Sequence, residues 1–317
     1  MNERRRPRFR PFCVGLAALL GATVSINPPI TGFGEPATAG LQRPPTSITQ
    51  AGNGDFPFVG TGTHAGAPIH VWYNAPSTDV RTAQILIVMT GAHRDGQEYR
   101  ADWLPLLAGR HTLLLVLEFD RAGYPDVASY NLGGMLGPDG TPQPQGSWSF
   151  NMVESVFDHV VRDIGSTATD YALFGHSAGA QFVHRFVVFM PQSRARIAVA
   201  ANAGWYTLPD DTVSFPYGLK GSPGRVKALG EAFSRNLVVM LGSDDIDTHD
   251  SSLQRDAQTD RQGGNRLARG LNFYRTAREA AGPSVPFHWQ LIAVPGVSHN
   301  HAGMARAAVP FLLQPVP

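Results

Sequence analysis

The 317-residue chain has a single cysteine, Cys13. That excludes an intrachain disulfide and any zinc site built from several thiolates. Charged residues make up only 16% of it and the formal net charge is +1, so no basic stripe points to nucleic acid as a partner. A long hydrophobic run is also missing. The N-terminal apolar stretch, Phe12 to about Ile26, is too short for a comfortable membrane span. Neither an internal repeat nor a second hydrophobic unit stands out. What is present is 43% hydrophobic residues, enough at this length to bury a sizeable core without cross-links.

Arg4, Arg5, Arg6, Arg8 and Arg10 precede that apolar stretch, and Ala37-Thr38-Ala39 offers a small-residue cleavage pattern. Residues 1–39 therefore read as an export signal, which places the protein in a secreted or periplasmic setting. An uncleaved membrane anchor is the rival reading. Five arginines against Glu3 and Glu35 give the segment +3, so its removal leaves about −2 and no cysteine. The expectation is a cysteine-free exported protein, with no stable membrane span once the signal is gone. Residues 40–54, in a stretch rich in Pro, Gly, Thr and Ala, read as a flexible lead-in, and 55–317 as one folded domain.

Within that domain, strand and helix signals alternate. Ile69–Tyr73 is an alternating, aromatic-rich run suited to an antiparallel edge hairpin. Gln84–Met89, Thr112–Leu117, Tyr171–Phe174, Ile197–Ala200, Leu237–Leu241 and Trp289–Val294 are continuous apolar runs, as strands buried on both faces require. Between them, Val153, Val156, Phe157, Val160, Val161 and Ile164 share one helical face, with Asn151 and Glu154 spaced as an N-terminal capping pair. This alternation predicts an α/β fold: a mostly parallel central sheet with helices on both faces. Residues 121–148 and 207–232 fit no regular element and read as insertions near strand ends, either shaping a site or decorating the surface.

The most informative string is Gly175-His176-Ser177-Ala178-Gly179, between the apolar run Tyr171–Phe174 and the helix-like stretch Ala180–Phe186. Strand, sharp turn and helix lift a serine hydroxyl out of a sheet edge, and the flanking glycines remove Cβ atoms that would collide there. By itself the string is a weak signal. A serine is a poor nucleophile near neutral pH and needs a histidine base, an acid to orient it and amide donors for an oxyanion. In this arrangement the partners follow in the order Ser, acid, His, each after a strand. Ser177 is followed by Asp245, just past Leu237–Leu241, and by His299, just past Trp289–Val294.

Rivals exist at each position. Asp247 competes with Asp245, and His301 with His299. The acids Asp244, Asp245, Asp247 and Asp250 could also hold calcium, although the Asp-x-Asp-x-Asp-Gly rhythm is absent. No metal is assigned. For the oxyanion, the residue after the nucleophile supplies the Ala178 amide, and the loop Thr90–Gly96 supplies a second. Ala92 is chosen because Gly91 frees the backbone, and His93 is the alternative. His93, Trp205 and Tyr206 are candidate substrate contacts. His176 and His184 read as structural.

By these motifs the chain, from about residue 55 to 315, resembles the α/β-hydrolase family. It looks most like exported bacterial serine esterases of the polyhydroxyalkanoate depolymerase and feruloyl esterase type. Thr90–Trp103 is similar to their oxyanion loop and following helix, and Gly175–Phe186 to their nucleophile elbow. Where that family commonly has His-Gly, this chain has Thr90-Gly91. The resemblance implies cleavage of carboxylic esters through an acyl-enzyme, on a small-molecule or polymeric ester, with no cofactor. Peptidase, amidase or acyltransferase chemistry would use the same triad. A metal-dependent hydrolase and a non-catalytic binding protein are the remaining readings.

Overall fold

The computed structural model describes Ile48 and residues 51–60, 67–223 and 229–313. The arginine-rich segment, Cys13 and Ala37–Ala39 lie outside the described residues, so the signal reading finds no structural counterpart here. Among the described residues, eight strands form one sheet. They are β1 Gly52–Phe58, β2 Ile69–Ala75, β3 Gln84–Met89, β4 Thr112–Glu118, β5 Tyr171–His176, β6 Ala195–Ala201, β7 Leu237–Gly242 and β8 Gln290–Val294. The helices are α1 Gly96–Leu107, α2 Asn151–Ile164, α3 Ala178–Phe189, α4 Leu229–Phe233, α5 Ala257–Gln262, α6 Arg266–Ala281 and α7 His301–Leu312. None is long and apolar enough to cross a membrane.

Strand order is β1-β2-β4-β3-β5-β6-β7-β8, antiparallel only at β1–β2 and β2–β4. The fold is the α/β class that the alternating pattern predicted. The continuous apolar strands explain it. In β3, Ile85, Ile87 and Met89 join one core with residues of α2, α3 and α6, while Leu86 and Val88 join a second core with residues of α1 and α7. Successive side chains point to opposite faces, so a strand covered by helices on both sides must be apolar throughout. Each fully buried Leu, Ile or Val contributes about 1.5–3 kcal/mol.

Two local expectations fail. Strand β1 begins at Gly52, inside the stretch read as lead-in, because pairing with Ile69–Ala75 overrides the turn character of Gly-Asn-Gly. The capping pair on α2 does not form. A preceding turn supplies backbone acceptors for the N–H groups of Asn151, Met152 and Val153. Glu154 instead accepts hydrogen bonds from Tyr171 and Arg194.

The topology matters most at one edge. Strands β3, β5, β7 and β8 run parallel, so the segments after their C-terminal ends emerge together. From β3 the chain moves outward to β4 and then returns across β3 to β5. The crevice at such a reversal is where open α/β sheets bind ligands.

Candidate active site

Ser177 sits between β5 and α3 with φ 57° and ψ −117°, a conformation that costs a non-glycine residue about 1–3 kcal/mol. Neighbours hold it there. Its N–H donates to the Ala201 carbonyl at the end of β6, and an added Cβ at Gly175 would stand 2.3 Å from the Gly179 carbonyl oxygen. Ala178 opens α3, so its N–H has no acceptor within the helix.

The three residues drawn from separate strand ends meet. His299 Nε2 lies 3.0 Å from Ser177 Oγ, and His299 Nδ1 lies 2.7 Å from Asp245 Oδ2. The acid loop and the histidine loop are tied by the Asp244 N–H donating to the Val297 carbonyl and the Gly296 N–H donating to Ser243 Oγ. Gly296 turns with φ 69°. Asn202, itself at φ 49°, accepts from the Gly242 N–H and donates to the Ser298 carbonyl, stapling β6 to both loops.

The rivals go elsewhere. Asp247 is exposed and accepts from the His249 N–H. His301 Nδ1 lies 2.7 Å from Asp102 Oδ2, and its ring packs against that of Tyr99, tilted by 34°. Among the described residues no group of three or more His, Cys, Asp or Glu side chains could hold a metal ion. His176 is buried and packs its ring 4.6 Å from that of His299. His184 is fully buried, with Nδ1 donating to the Ala180 carbonyl and Nε2 accepting from the Thr207 N–H.

Burial pushes both of these imidazoles well below the usual histidine range, so they stay neutral in the fold. The unfolded chain protonates them below about pH 6.5 while the fold does not, so stability falls as pH drops through that value. The loss reaches about 1.4 kcal/mol per pH unit for each histidine. His184→Gln is expected to remove one histidine's share of that slope in urea unfolding between pH 7.5 and 5.5. An unchanged slope would refute the assignment. Asp79 and Asp250, held below the usual carboxylate range by Arg81 and Arg266, titrate at still lower pH and do not contribute in this window.

Gly91, Ala92, His93, Ser177, Ala178, Trp205 and His299 all line one cleft of about 490 Å³. The Ala92 loop is braced from behind by the long segment 121–148. Tyr130 donates to the Thr90 carbonyl, and the buried Arg94 guanidinium lies 3.8 Å from the Tyr130 ring and donates to the Phe119 carbonyl. With Tyr124, Tyr130, Met135 and Trp148 buried, that segment is packed structure rather than decoration. Tyr206 corrects the sequence reading. It does not line the cleft but is fully buried, stacked on Phe273. Trp205, by contrast, lines the cleft and carries the Arg185 guanidinium 4.2 Å from its ring.

Sequence reasoning missed Arg266, Asn202 and the His301–Asp102 pair. Arg266 alone left a signal: it occupies the buried stripe of α6 with Gly270, Phe273, Ala277 and Ala281. A guanidinium there must find partners.

Poly(aspartic acid) hydrolase-1 from Sphingomonas sp. KT-1 matches with a TM-score of 0.80 and 39% identity, over 83% of this chain and 99% of that one. LpqC, a poly(3-hydroxybutyrate) depolymerase from Bordetella parapertussis, matches at 0.78 and 30%, over 84% and 92%. The chain belongs to the α/β-hydrolase family. Hydrolase is accordingly the coarse activity class of this α/β-hydrolase. The siderophore hydrolase EstB from Aspergillus nidulans, at 0.51 and 14% over 85% and 97%, shares the fold alone. No family model matches this α/β-hydrolase, and no curated protein matches it.

Proposed function

We propose that this protein is an exported serine esterase that cleaves carboxylic ester bonds through Ser177, His299 and Asp245, with residues 1–39 as its signal and the domain from 55 onward as the catalytic unit. The observation that carries the reading is the unbroken chain of contacts, 3.0 Å from Ser177 Oγ to His299 and 2.7 Å from His299 to Asp245. With its proton on Nδ1, held by Asp245, His299 offers a lone pair at Nε2 to the serine hydroxyl.

Ser177 Oγ forms a bond to the ester carbonyl carbon as His299 takes its proton. The N–H groups of Ala92 and Ala178 receive the oxyanion, aided by the positive end of α3. Collapse breaks the bond to the alcohol oxygen, which takes the proton back from His299 and leaves an acyl-enzyme. Water then attacks with His299 again as base, and the acid departs. Trp205 and His93 flank the substrate.

Two relatives favour different bonds. One is a poly(3-hydroxybutyrate) depolymerase, the other a poly(aspartic acid) hydrolase, which raises amide cleavage as a second reading. Charge favours a neutral ester here. The cleft lining carries Asp95, Glu98 and Asp102, while its one arginine, Arg266, is already bound to Asp245 and Asp250. A polyanion entering that cleft meets like charge. Turnover is expected on p-nitrophenyl esters and poly(3-hydroxybutyrate), at least tenfold above that on poly(aspartic acid) at low salt. The reverse ranking would establish the amide reading instead, and no turnover of either class would remove both.

A further inference from the structure

Arg266 and Arg269 lie on the buried face of α6 and are used differently. Arg269 donates to the carbonyls of Gly204, Gln254 and Gly263, which is a structural task. Arg266 reaches the triad acid. Its Nη1 lies 3.2 Å from Asp245 Oδ1 and 3.1 Å from Asp250 Oδ2, and its Nη2 donates to Ser252 Oγ at 2.8 Å. The Arg266 side chain is 1% exposed and that of Asp245 2%. Asp245 gives its other oxygen to His299, so one carboxylate bridges an imidazole and a guanidinium.

We infer that Arg266 and Asp250 form a charge couple behind the triad that positions Asp245 and sets how readily His299 holds a proton. This rests on the triad reading above. Arg266 fixes the plane of the Asp245 carboxylate by occupying Oδ1, which leaves Oδ2 aimed at the ring. It also withdraws negative charge from Asp245 and so disfavours the imidazolium. Asp250 offsets part of that effect, and the guanidinium beside it holds its carboxyl well below the usual carboxylate range. Ser252 lies in the cleft lining, so the couple joins the triad to the substrate wall.

The other titratable groups around His299 stay constant in this comparison. His176 packs on its ring and is kept neutral by burial. His301, paired with Asp102, lies behind His176 with ring centroids 5.7 Å apart. Near Asp245, burial pushes the Tyr206 hydroxyl up, so it is uncharged. Arg269 is a further fixed cation.

The test is the pH dependence of kcat/KM for p-nitrophenyl acetate, measured on the full chain and on Arg266→Gln, Arg266→Lys and Asp250→Asn. The acid limb reports protonation of the base in the free enzyme. Without the cation, Arg266→Gln is expected to move that limb to higher pH by about half a unit to one unit. Asp250→Asn removes the anion that offsets Arg266 and is expected to move it to lower pH. Arg266→Lys keeps the charge but not the fork, so the limb stays while kcat falls roughly tenfold. A merely structural arginine would lower the yield of folded protein and leave both limbs in place. In Arg266→Gln and Asp250→Asn, limbs that do not move, or that move in the same direction, overturn the inference. If Arg266→Gln does not fold, Asp250→Asn decides alone, because a limb at the wild-type position is enough to refute it. An inactive wild type, or full activity in Ser177→Ala, would strike the triad reading instead.

Discussion

Ser177→Ala is expected to lower kcat on p-nitrophenyl acetate by about 10⁵–10⁶-fold while KM changes little. The serine oxygen is the atom that becomes acylated in the proposed cycle, and nothing beside it can take over. The Ala92 and Ala178 amides remain, so a residual rate about 10³-fold above water should survive through oxyanion stabilisation and binding. The substitution is mild for the fold. Ser177 Oγ makes one hydrogen bond, to His299, and alanine keeps the Cβ that the turn already tolerates at φ 57°. Thermal stability should therefore stay within about 0.5 kcal/mol of wild type, which separates lost chemistry from lost structure.

Two further measurements sharpen that result. The acyl-enzyme burst and covalent labelling by a fluorophosphonate should both vanish in Ser177→Ala. His299→Ala should cost nearly as much, and the double variant scarcely more, because the residues act as a unit. A burst that persists in Ser177→Ala would end the esterase reading. A wild-type protein that neither turns over esters nor labels would revive the binding-protein reading.

The parts of the site that were legible in the sequence are those fixed by the direction of parallel strands. A residue shortly after the C-terminal end of any such strand lands on one sheet edge, so Ser177, Asp245 and His299 could be matched by order alone. Ala92, on the loop after β3, lines the same cleft for the same reason. Lateral relations were not legible, because they depend on the strand order β4-β3-β5-β6 and not on the order of the chain. That is why Asn202, which links β6 to the acid and histidine loops, gave no sign. Trp205 and Tyr206 lie in an irregular segment after β6, so no periodicity separated the cleft residue from the core one. Arg266 stood in plain view as a cation in an apolar stripe, yet its partners Asp245 and Asp250 lie on a different loop. Strand β1 was hidden because Gly52-Asn53-Gly54 has turn character, and only the β2 partner makes it a strand.

Gly179→Ala should have a large effect for a single added methyl group in the site. A Cβ there would stand 2.3 Å from the Met89 carbonyl oxygen and 2.8 Å from the Thr90 carbonyl oxygen. Both are backbone atoms at or just after the end of β3, in the segment that carries the proposed oxyanion donor Ala92, so no side chain can swing aside to make room. Either α3 tilts away from β3 or the loop moves, and each separates Ala92 from Ala178. Overpacking of this kind costs about 1–3 kcal/mol, and a displacement of the oxyanion donors costs about 10²–10³-fold in kcat. Gly204→Ala provides the contrast within the same cleft. Its Cβ would meet Gln181 Nε2 at 2.9 Å, the end of a side chain that can rotate, so stability and kcat should change several-fold less. Thermal melts and kcat for the two variants, measured side by side, check the claim. Equal effects would mean that the close approach of α3 to the end of β3 does not hold the elbow against the oxyanion loop.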